Sequence, residues 1–282
     1  MHGDRPHERL RRDCGRELGE GAMFVHISPY DFETGLIDEN KRLTNVISAT
    51  VERDATDETS LLESAIVKLD TSSFTAGWYA MDAIENSTRT RLGVFYFSLK
   101  TMEQESDGSF VYELNGVSVL YNASVARVKS GYSVQKGDSG TATITALLST
   151  CTAPLEITPF QVAKTQVFNG KVTCLGACWS VLRNAGMCMQ IGDDGTIKVK
   201  PIPATVEKTI TADSGGLMGA ISMSDDEIGY TCTLSGRPYD VVEMNLPKWG
   251  IDTTLHIASQ SIDLENTLSV EETVKEQVYD GS

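Results

Sequence analysis

The sequence predicts a mainly β protein with a few short helices, an α+β fold class, and three observations carry that prediction. Strand-like runs separated by turn residues follow one another between residues 42 and 121. After residue 138 the apolar spacing becomes helical in two short segments. Hydrophobic residues make up 40% of the 282 residues and charged residues 22%, so the chain can bury a core of ordinary globular size.

The first half of the chain, from Met23, is predicted to form a sheet or a barrel. The predicted strands cover residues 42–52, 61–69, 77–84, 88–99 and 109–121. The sequence Glu-Ser-Asp-Gly at 105–108 predicts a hairpin turn between the last two strands. The run at 92–99 is apolar on both faces, which is typical of a strand that is covered on two sides.

Two helices are predicted next. Asp138 or Ser139 can cap the first, which Pro154 closes, because the apolar residues that follow the cap have helical spacing. These residues are Ala142, Ile144, Leu147, Leu148 and Cys151. A second helix is predicted at 172–185, with Gly186 as its C-terminal cap. Its apolar stripe consists of Leu175, Cys178, Trp179, Leu182 and Ala185.

The last third of the chain is predicted to contain further strands and a short terminal helix. Residues 187–201 contain the turn Gly-Asp-Asp-Gly and predict a β-hairpin. Strands are predicted at 220–226 and 230–234. A capping box, Ser269-x-x-Glu272, predicts a helix near the end. Its valines at 270, 274 and 278 form a narrow stripe that packs either in a groove on a neighbouring subunit or on its own chain.

These elements group into four predicted regions. They are an N-terminal arm at 1–22, a β-barrel-like domain at 23–130, an α/β part at 131–258 that holds the helix and hairpin, and an acidic C-terminal tail at 259–282. The arm has arginines but no apolar stretch typical of a secretory signal, and the apolar runs are far shorter than a membrane helix requires. We therefore expect no membrane-spanning segment and a protein that is used in the cytoplasm where it is made.

Charge and cysteine content exclude some classes of function. The formal net charge is −15, from 24 basic and 39 acidic residues, which argues against a surface that neutralises phosphates. A negative channel would still let a DNA duplex slide through without sticking. The six cysteines are too sparse for a disulfide scaffold, and we expect reduced thiols. Cys174, Cys178 and Cys188 lie close together but lack zinc-ligand spacing, so no metal or other cofactor is predicted.

One motif resembles the nucleophile segment of a serine hydrolase. Gly-Asp-Ser-Gly at 137–140 would make Ser139 the nucleophile, provided that a histidine base lies beside it. The upstream histidines, His2, His7 and His26, lack the sequence context of that family, and Ser139 is equally explained as a helix cap. A similar string, Asp213-Ser-Gly-Gly216, is interpreted as turn or cap chemistry. We predict no catalytic residue and no enzyme, with the hydrolase kept as an alternative.

Exposed aromatic residues suggest a second alternative, a carbohydrate-binding β module. The candidate residues are Trp78, Tyr79, Phe95, Tyr96, Phe97, Tyr112 and Tyr121. Aromatic residues in strands more often belong to the core and to cross-strand pairs, which is the interpretation that we prefer. The glycosylation sequons at Asn86 and Asn122 are interpreted as turn asparagines, since no secretory signal accompanies them.

The order of these parts resembles the hub and tail-tip proteins of bacteriophages. The matching segments are LLESAIVKLD at 61–70, GWY at 77–79, TRTRLGVF at 88–95, YELNGVSVLY at 112–121, Val134-x-Lys136-Gly137, and the helix with Trp179 and Leu182 that Ala185-Gly186 and a hairpin ending IKVKP at 197–201 follow. The resemblance covers residues 36–205. It implies tube-like β-barrel domains of the tail hub type.

The same resemblance implies a structural function. Such hubs are homotrimers that adapt the sixfold tail tube to a threefold tip or spike, in a phage tail tip, a baseplate or a related contractile injection machine. The implied partners are tail tube or distal tail proteins, the tape-measure protein and the tip or spike protein, with DNA only as a transiting neighbour. The implied location is the tail of the virion, after assembly in the bacterial host cytoplasm.

Overall fold

The computed structural model describes residues 23–276 except 44, 57–61, 72, 105–109, 213–216, 225 and 265–267. The N-terminal arm therefore lies outside the described residues, as does the predicted turn at 105–108. The first strands are β1 (Met23–Asp31), β2 (Leu36–Ile37), β3 (Val46–Asp54), β4 (Leu62–Asp70), β5 (Gly77–Glu85), β6 (Thr88–Gln104) and β7 (Phe110–Val117). Strands β3 to β7 confirm the five predicted strands.

The middle of the chain is an inserted α/β domain. Its elements are α1 (Tyr121–Val125), β8 (Tyr132–Val134), α2 (Gly140–Leu147), β9 (Leu155–Ile157), β10 (Gln166–Phe168), α3 (Cys174–Asn184), β11 (Met187–Ile191) and β12 (Ile197–Pro201). The two predicted helices and the hairpin are confirmed. No pattern in the sequence predicted the short strands β8 to β10 or helix α1.

The last strands return to the main sheet. They are β13 (Val206–Thr211), β14 (Leu217–Met223), β15 (Glu227–Cys232), β16 (Val241–Leu246), β17 (Ile251–Asp263) and β18 (Ser269–Lys275). The prediction of a helix after Ser269 is wrong, because β18 pairs with β15 on one side and β17 on the other. The side chains at 270, 272 and 274 are buried and alternate as in a strand. The buried residue between Val270 and Val274 is Glu272, which is not apolar. The valines alone therefore recur every four residues, and this spacing suggested a helix.

The first half closes into a barrel, as predicted. Strands β3, β4, β7, β6, β5 and β1 follow one another by hydrogen-bonded pairs. An isolated antiparallel bridge joins Ile27 of β1 to Leu43, just before β3, and the Leu43 amide donates to the Ile27 carbonyl at 2.8 Å. This bridge connects the two ends of the six-stranded sheet.

Strand β17 joins the barrel to a second group of six strands. Its first part, Ile251–His256, pairs with β16, and residues 259–263 pair with β3 of the barrel. The second group runs β13, β16, β17, β18, β15 and β14. A shared apolar core under both groups includes Phe95, Phe97 and Ile257. The inserted domain packs its helices around a separate core that contains Trp179.

Candidate functional site: an aromatic cleft and open strand edges

A cleft of about 390 Å³ lies between the barrel and the inserted domain. Its floor is the outer face of β5, β6 and β7. Trp78, Tyr96 and Val117 occupy neighbouring positions in register across these strands, and Ser98 lies opposite Asn115 one row further along. Cross-strand partners share a face, so these five side chains point to the same side of the sheet.

Helix α1 and the loop after α2 form the wall of this cleft. The wall residues are Ser118, Val119, Tyr121, Asn122 and Thr152. The Asn122 amide donates to the Thr150 carbonyl at 3.1 Å, which ties α1 to that loop. The Ser118 hydroxyl accepts from the Leu120 amide at 3.2 Å and begins the turn into α1. The wall is therefore held by hydrogen bonds between side chains and the backbone.

The aromatic residues proposed from the sequence separate into two groups. Tyr79, Phe95 and Phe97 lie in the core of the barrel, and Tyr112 packs against that core. The side chains of Trp78, Tyr96 and Tyr121 line the cleft instead. Trp78 meets Tyr96 edge to face with ring centres 5.5 Å apart, and Phe32 supports it from behind at 5.1 Å. Strand alternation could have separated these groups in the sequence, because Tyr96 lies between the two buried phenylalanines.

Open strand edges are a second feature with binding potential. Within the described residues, β14 pairs only with β15, β13 only with β16, and β2 only with β1. Met223 at the end of β14 is 58% exposed. The end of β6 also carries exposed apolar side chains, Leu99 and Met102, beyond the covered part of the barrel. Unpaired edges and exposed apolar residues are the usual sites of contact between subunits.

A buried chain of polar side chains links the barrel, the second strand group and the inserted domain. Arg53 of β3 is 2% exposed and donates to the Leu92 carbonyl at 2.7 Å and to Gln260 of β17 at 3.1 Å. Its Nε lies 3.3 Å from Glu63 of β4, which also pairs with Arg237. Burial lowers the pKa of Arg53 to about 10, so the guanidinium stays charged at neutral pH. Arg237 further pairs with Asp193, in the hairpin turn of the inserted domain.

The other end of this polar chain is Glu272 of β18. Gln260 donates to its Oε1 at 2.7 Å, and Lys208 of β13 lies 2.9 Å from its Oε2. The Tyr230 hydroxyl also donates to this carboxylate. Lys208 lies 3.3 Å from the sulfur of Cys232, whose pKa burial raises to about 11. The carboxylate thus connects β13, at one end of the second group, with β15, the strand next to the other end.

Ser139, the candidate nucleophile of a hydrolase, is the N-cap residue of helix α2. The Ser139 hydroxyl accepts from the Ala142 amide at 3.2 Å and begins α2. The imidazole of His26 contacts Arg42, and that of His256 contacts the carbonyls of Pro203 and Glu276. The described histidines are therefore engaged elsewhere, and the string at 213–216 lies outside the described residues.

The five cysteines in the described part of the chain are free thiols, and burial raises the pKa of Cys188 to about 12. Among the described residues, no group of three or more histidine, cysteine or carboxylate side chains could hold a metal ion. None of the helices in those residues is long and apolar enough to cross a membrane.

Comparison with known proteins relates this architecture to tail proteins. The sequence matches no protein-family model and no curated protein sequence. The structure is similar to a tail protein from Neisseria meningitidis MC58, with a TM-score of 0.66 and 11% identity over 92% of this chain and 97% of that one. It is also similar to the 43 kDa tail protein of prophage MuSo2 from Shewanella oneidensis, with a TM-score of 0.65 and 8% identity over 89% and 95%.

A third similar structure is prophage tail protein gp18 from Listeria monocytogenes EGD-e. Its TM-score is 0.55 at 10% identity, and the match covers 91% of this chain and 95% of that one. In each case the match covers nearly the whole of both chains, so the inserted domain and the two strand groups belong to one shared architecture. The chain therefore has the fold of phage tail proteins, as the resemblance in its sequence predicted.

Proposed function

We propose that this protein is a structural hub subunit of a phage tail tip or baseplate, or of a related contractile injection machine, and that it joins the tail tube to the tip or spike. The observation that carries the proposal is the match to tail proteins over 92% of this chain and 97% of the matched chain. A match of both whole chains includes the elements that would meet neighbouring subunits.

The proposed assembly is a homotrimer. Open edges at β13 and β14 end a sheet that could continue into another subunit, and a closed ring satisfies such edges without forming open fibres. Three copies of a chain with net charge −15 would give a ring that repels phosphate. DNA or a tape-measure protein would then pass through without sticking. The role is structural, the location is the virion tail, and assembly takes place in the host cytoplasm.

Native mass spectrometry and electron microscopy of the purified chain, alone and with tail tube protein, test the assembly. We expect threefold particles. A strict monomer with covered edges, or a ring of six identical chains, would contradict the proposal.

An edge variant identifies the contact. Met223→Lys places a charge on the edge strand β14 and is expected to abolish assembly while leaving the melting temperature nearly unchanged. Val125→Lys is the matched control, because Val125 is 56% exposed but lies on helix α1 rather than on a strand edge. Assembly that tolerates both substitutions would exclude the β14 edge as the contact between subunits.

A further inference from the structure

We propose that the aromatic cleft binds a neutral saccharide, a ligand that the hub function does not require. The volume of about 390 Å³ lies within the roughly 300–1,000 Å³ typical of small-molecule sites. The cleft is concave and its floor is a rigid three-stranded sheet, so the site exists before a ligand arrives.

The charge of the cleft selects the class of ligand. None of the ten lining residues is charged, in a chain where 22% of residues are. A phosphate or sulfate group would find no cation there, and a metal ion or polyamine would find no carboxylate. This lining therefore favours an uncharged ligand, because a charged ligand would be bound without a group of opposite charge.

The remaining groups of the lining match a sugar ring. The side chains of Ser98 and Asn115 have no hydrogen-bond partner among the described residues, and they lie side by side on the cleft floor. The Asn115 amide can both donate to and accept from hydroxyl groups. Tyr96 and Tyr121 are 38% and 44% exposed, and they offer aromatic faces to the C–H face of a pyranose. Stacking surfaces next to neutral donors and acceptors are what a sugar needs.

A protein partner fits the cleft less well. The cores of protein–protein interfaces are typically apolar and enriched in methionine, arginine and aromatic residues. Here hydroxyl and amide groups stand among the aromatic rings inside a concavity. Burial under an apolar side chain would leave those groups without partners, which is costly. The competing possibility is that a second copy of this chain covers the cleft, and the oligomeric state of the cleft variants tests it.

Titration with two neutral oligosaccharides tests the proposal. An N-acetylglucosamine tetramer represents amino-sugar polymers of the cell wall, and maltohexaose represents neutral hexose polymers. We expect saturable heat in calorimetry with at least one, and no binding of a sulfated oligosaccharide. Trp249→Phe removes the exposed indole, and Trp179 is buried in the inserted domain, so a change in fluorescence on titration reports on Trp78 in the cleft. The oligosaccharide that binds shows whether the ligand belongs to the amino-sugar polymers or to the neutral hexose polymers.

Variants locate the binding. Tyr121→Ala and Asn115→Ala are each expected to weaken binding about tenfold, and Tyr121→Phe to keep it, since the ring stays. Val125→Ala on the same helix is the control, because Val125 is exposed outside the cleft lining. Circular dichroism melts confirm that each variant is folded.

Three results would overturn the proposal. They are no saturable binding of either oligosaccharide, binding that survives both cleft substitutions, and a change of oligomeric state in the cleft variants, which would assign the cleft to a second copy of this chain. The oligomeric state of the unmodified protein does not affect this test, so failure of the hub assignment and failure of the saccharide site are distinguishable.

Discussion

The two cores of this molecule are built in different ways. Four charged residues are buried in the described part of the chain, namely Arg53, Glu63, Asp82 and Glu272, and all four lie on strands of the large sheet. The buried polar residues of the inserted domain, Thr143, Gln190 and Thr196, carry no charge. Its core consists of apolar side chains around Trp179.

For Arg53, Glu63 and Glu272 the difference goes with pairing between elements far apart in sequence, whereas Asp82 pairs with Arg89 and Arg91 of the next strand. In the inserted domain, α3 packs on β11, which begins only a few residues later. In the large sheet, Arg53 meets Gln260 across 207 positions, and Arg237 meets Glu63 across 174. A buried charge without a partner is strongly destabilising, so only strand registers that pair it are stable. Such pairs can therefore determine the register of strands that are far apart in the sequence.

Removal of the terminal strand is expected to have the largest effect. Deletion of residues 266–282 removes β18 from between β15 and β17, together with the buried side chains of Val270 and Val274. The truncated chain should fail to fold, which solubility and circular dichroism would show. Deletion of 277–282 alone leaves β18 in place and is the control. A soluble, cooperatively melting product of the longer deletion would mean that β18 is dispensable.

The next largest effect is expected from a single buried carboxylate. Glu272→Ala leaves the largely enclosed Lys208 ammonium without its carboxylate partner and removes the acceptor of Tyr230 and Gln260. The free energy of unfolding should fall by about 3–5 kcal/mol in urea denaturation. Glu271→Ala changes the exposed neighbour on the same strand and should cost little. Equal losses in the two variants would mean that the buried carboxylate and its partners do not stabilise the large sheet.

A core substitution in the inserted domain tests the other half of the comparison. Leu182 is fully buried on α3, and Leu182→Ala should cost about 2–5 kcal/mol through lost burial and a cavity. Because no charge is involved, this loss should not depend on salt concentration. Hydrogen exchange should show faster exchange concentrated in α2 and α3. Faster exchange spread evenly over the large sheet would contradict a separate core.

The same difference explains how much of the structure the sequence predicted. Helices α2 and α3 and the hairpin at 187–201 depend on neighbouring residues, whose caps and periodicity are visible in the sequence. Strands β16, β17 and β18 pair with their neighbours in the chain, but β17 also pairs with β3 and β18 with β15, which are not adjacent in sequence. Glu272 concealed the alternation of β18. Of the cleft, the aromatic residues were recognised. The division of these residues between core and cleft was not recognised. Strand alternation distinguishes Tyr96 from the buried phenylalanines beside it, but Tyr121 meets the cleft floor only in the tertiary structure.

Buried thiols give a smaller, pH-dependent effect that both cores share. Burial raises the pKa of Cys188 to about 12 and that of Cys232 to about 11, above the usual value near 9. Above pH 9 the unfolded chain loses these protons while the folded chain keeps them, so stability should decline as the pH rises toward 11. Melting temperatures from pH 7 to 10.5 would show the decline. Cys232→Ala should reduce it, and an unchanged slope in that variant would mean that this thiol does not contribute.

The smallest effect is expected at the helix cap that resembles a catalytic serine. Ser139→Ala removes the acceptor of the Ala142 amide at the start of α2 and should cost about 0.5–2 kcal/mol. Thr173→Ala removes the equivalent bond to the Gly176 amide at the start of α3, so it is a matched control with the same expected loss. If Ser139 acts only as a cap, both variants should lose similar stability and neither should lose function in assembly. Labelling of the unmodified protein at Ser139 by a fluorophosphonate probe would instead favour the hydrolase, since a capping hydroxyl without a base is not an activated nucleophile.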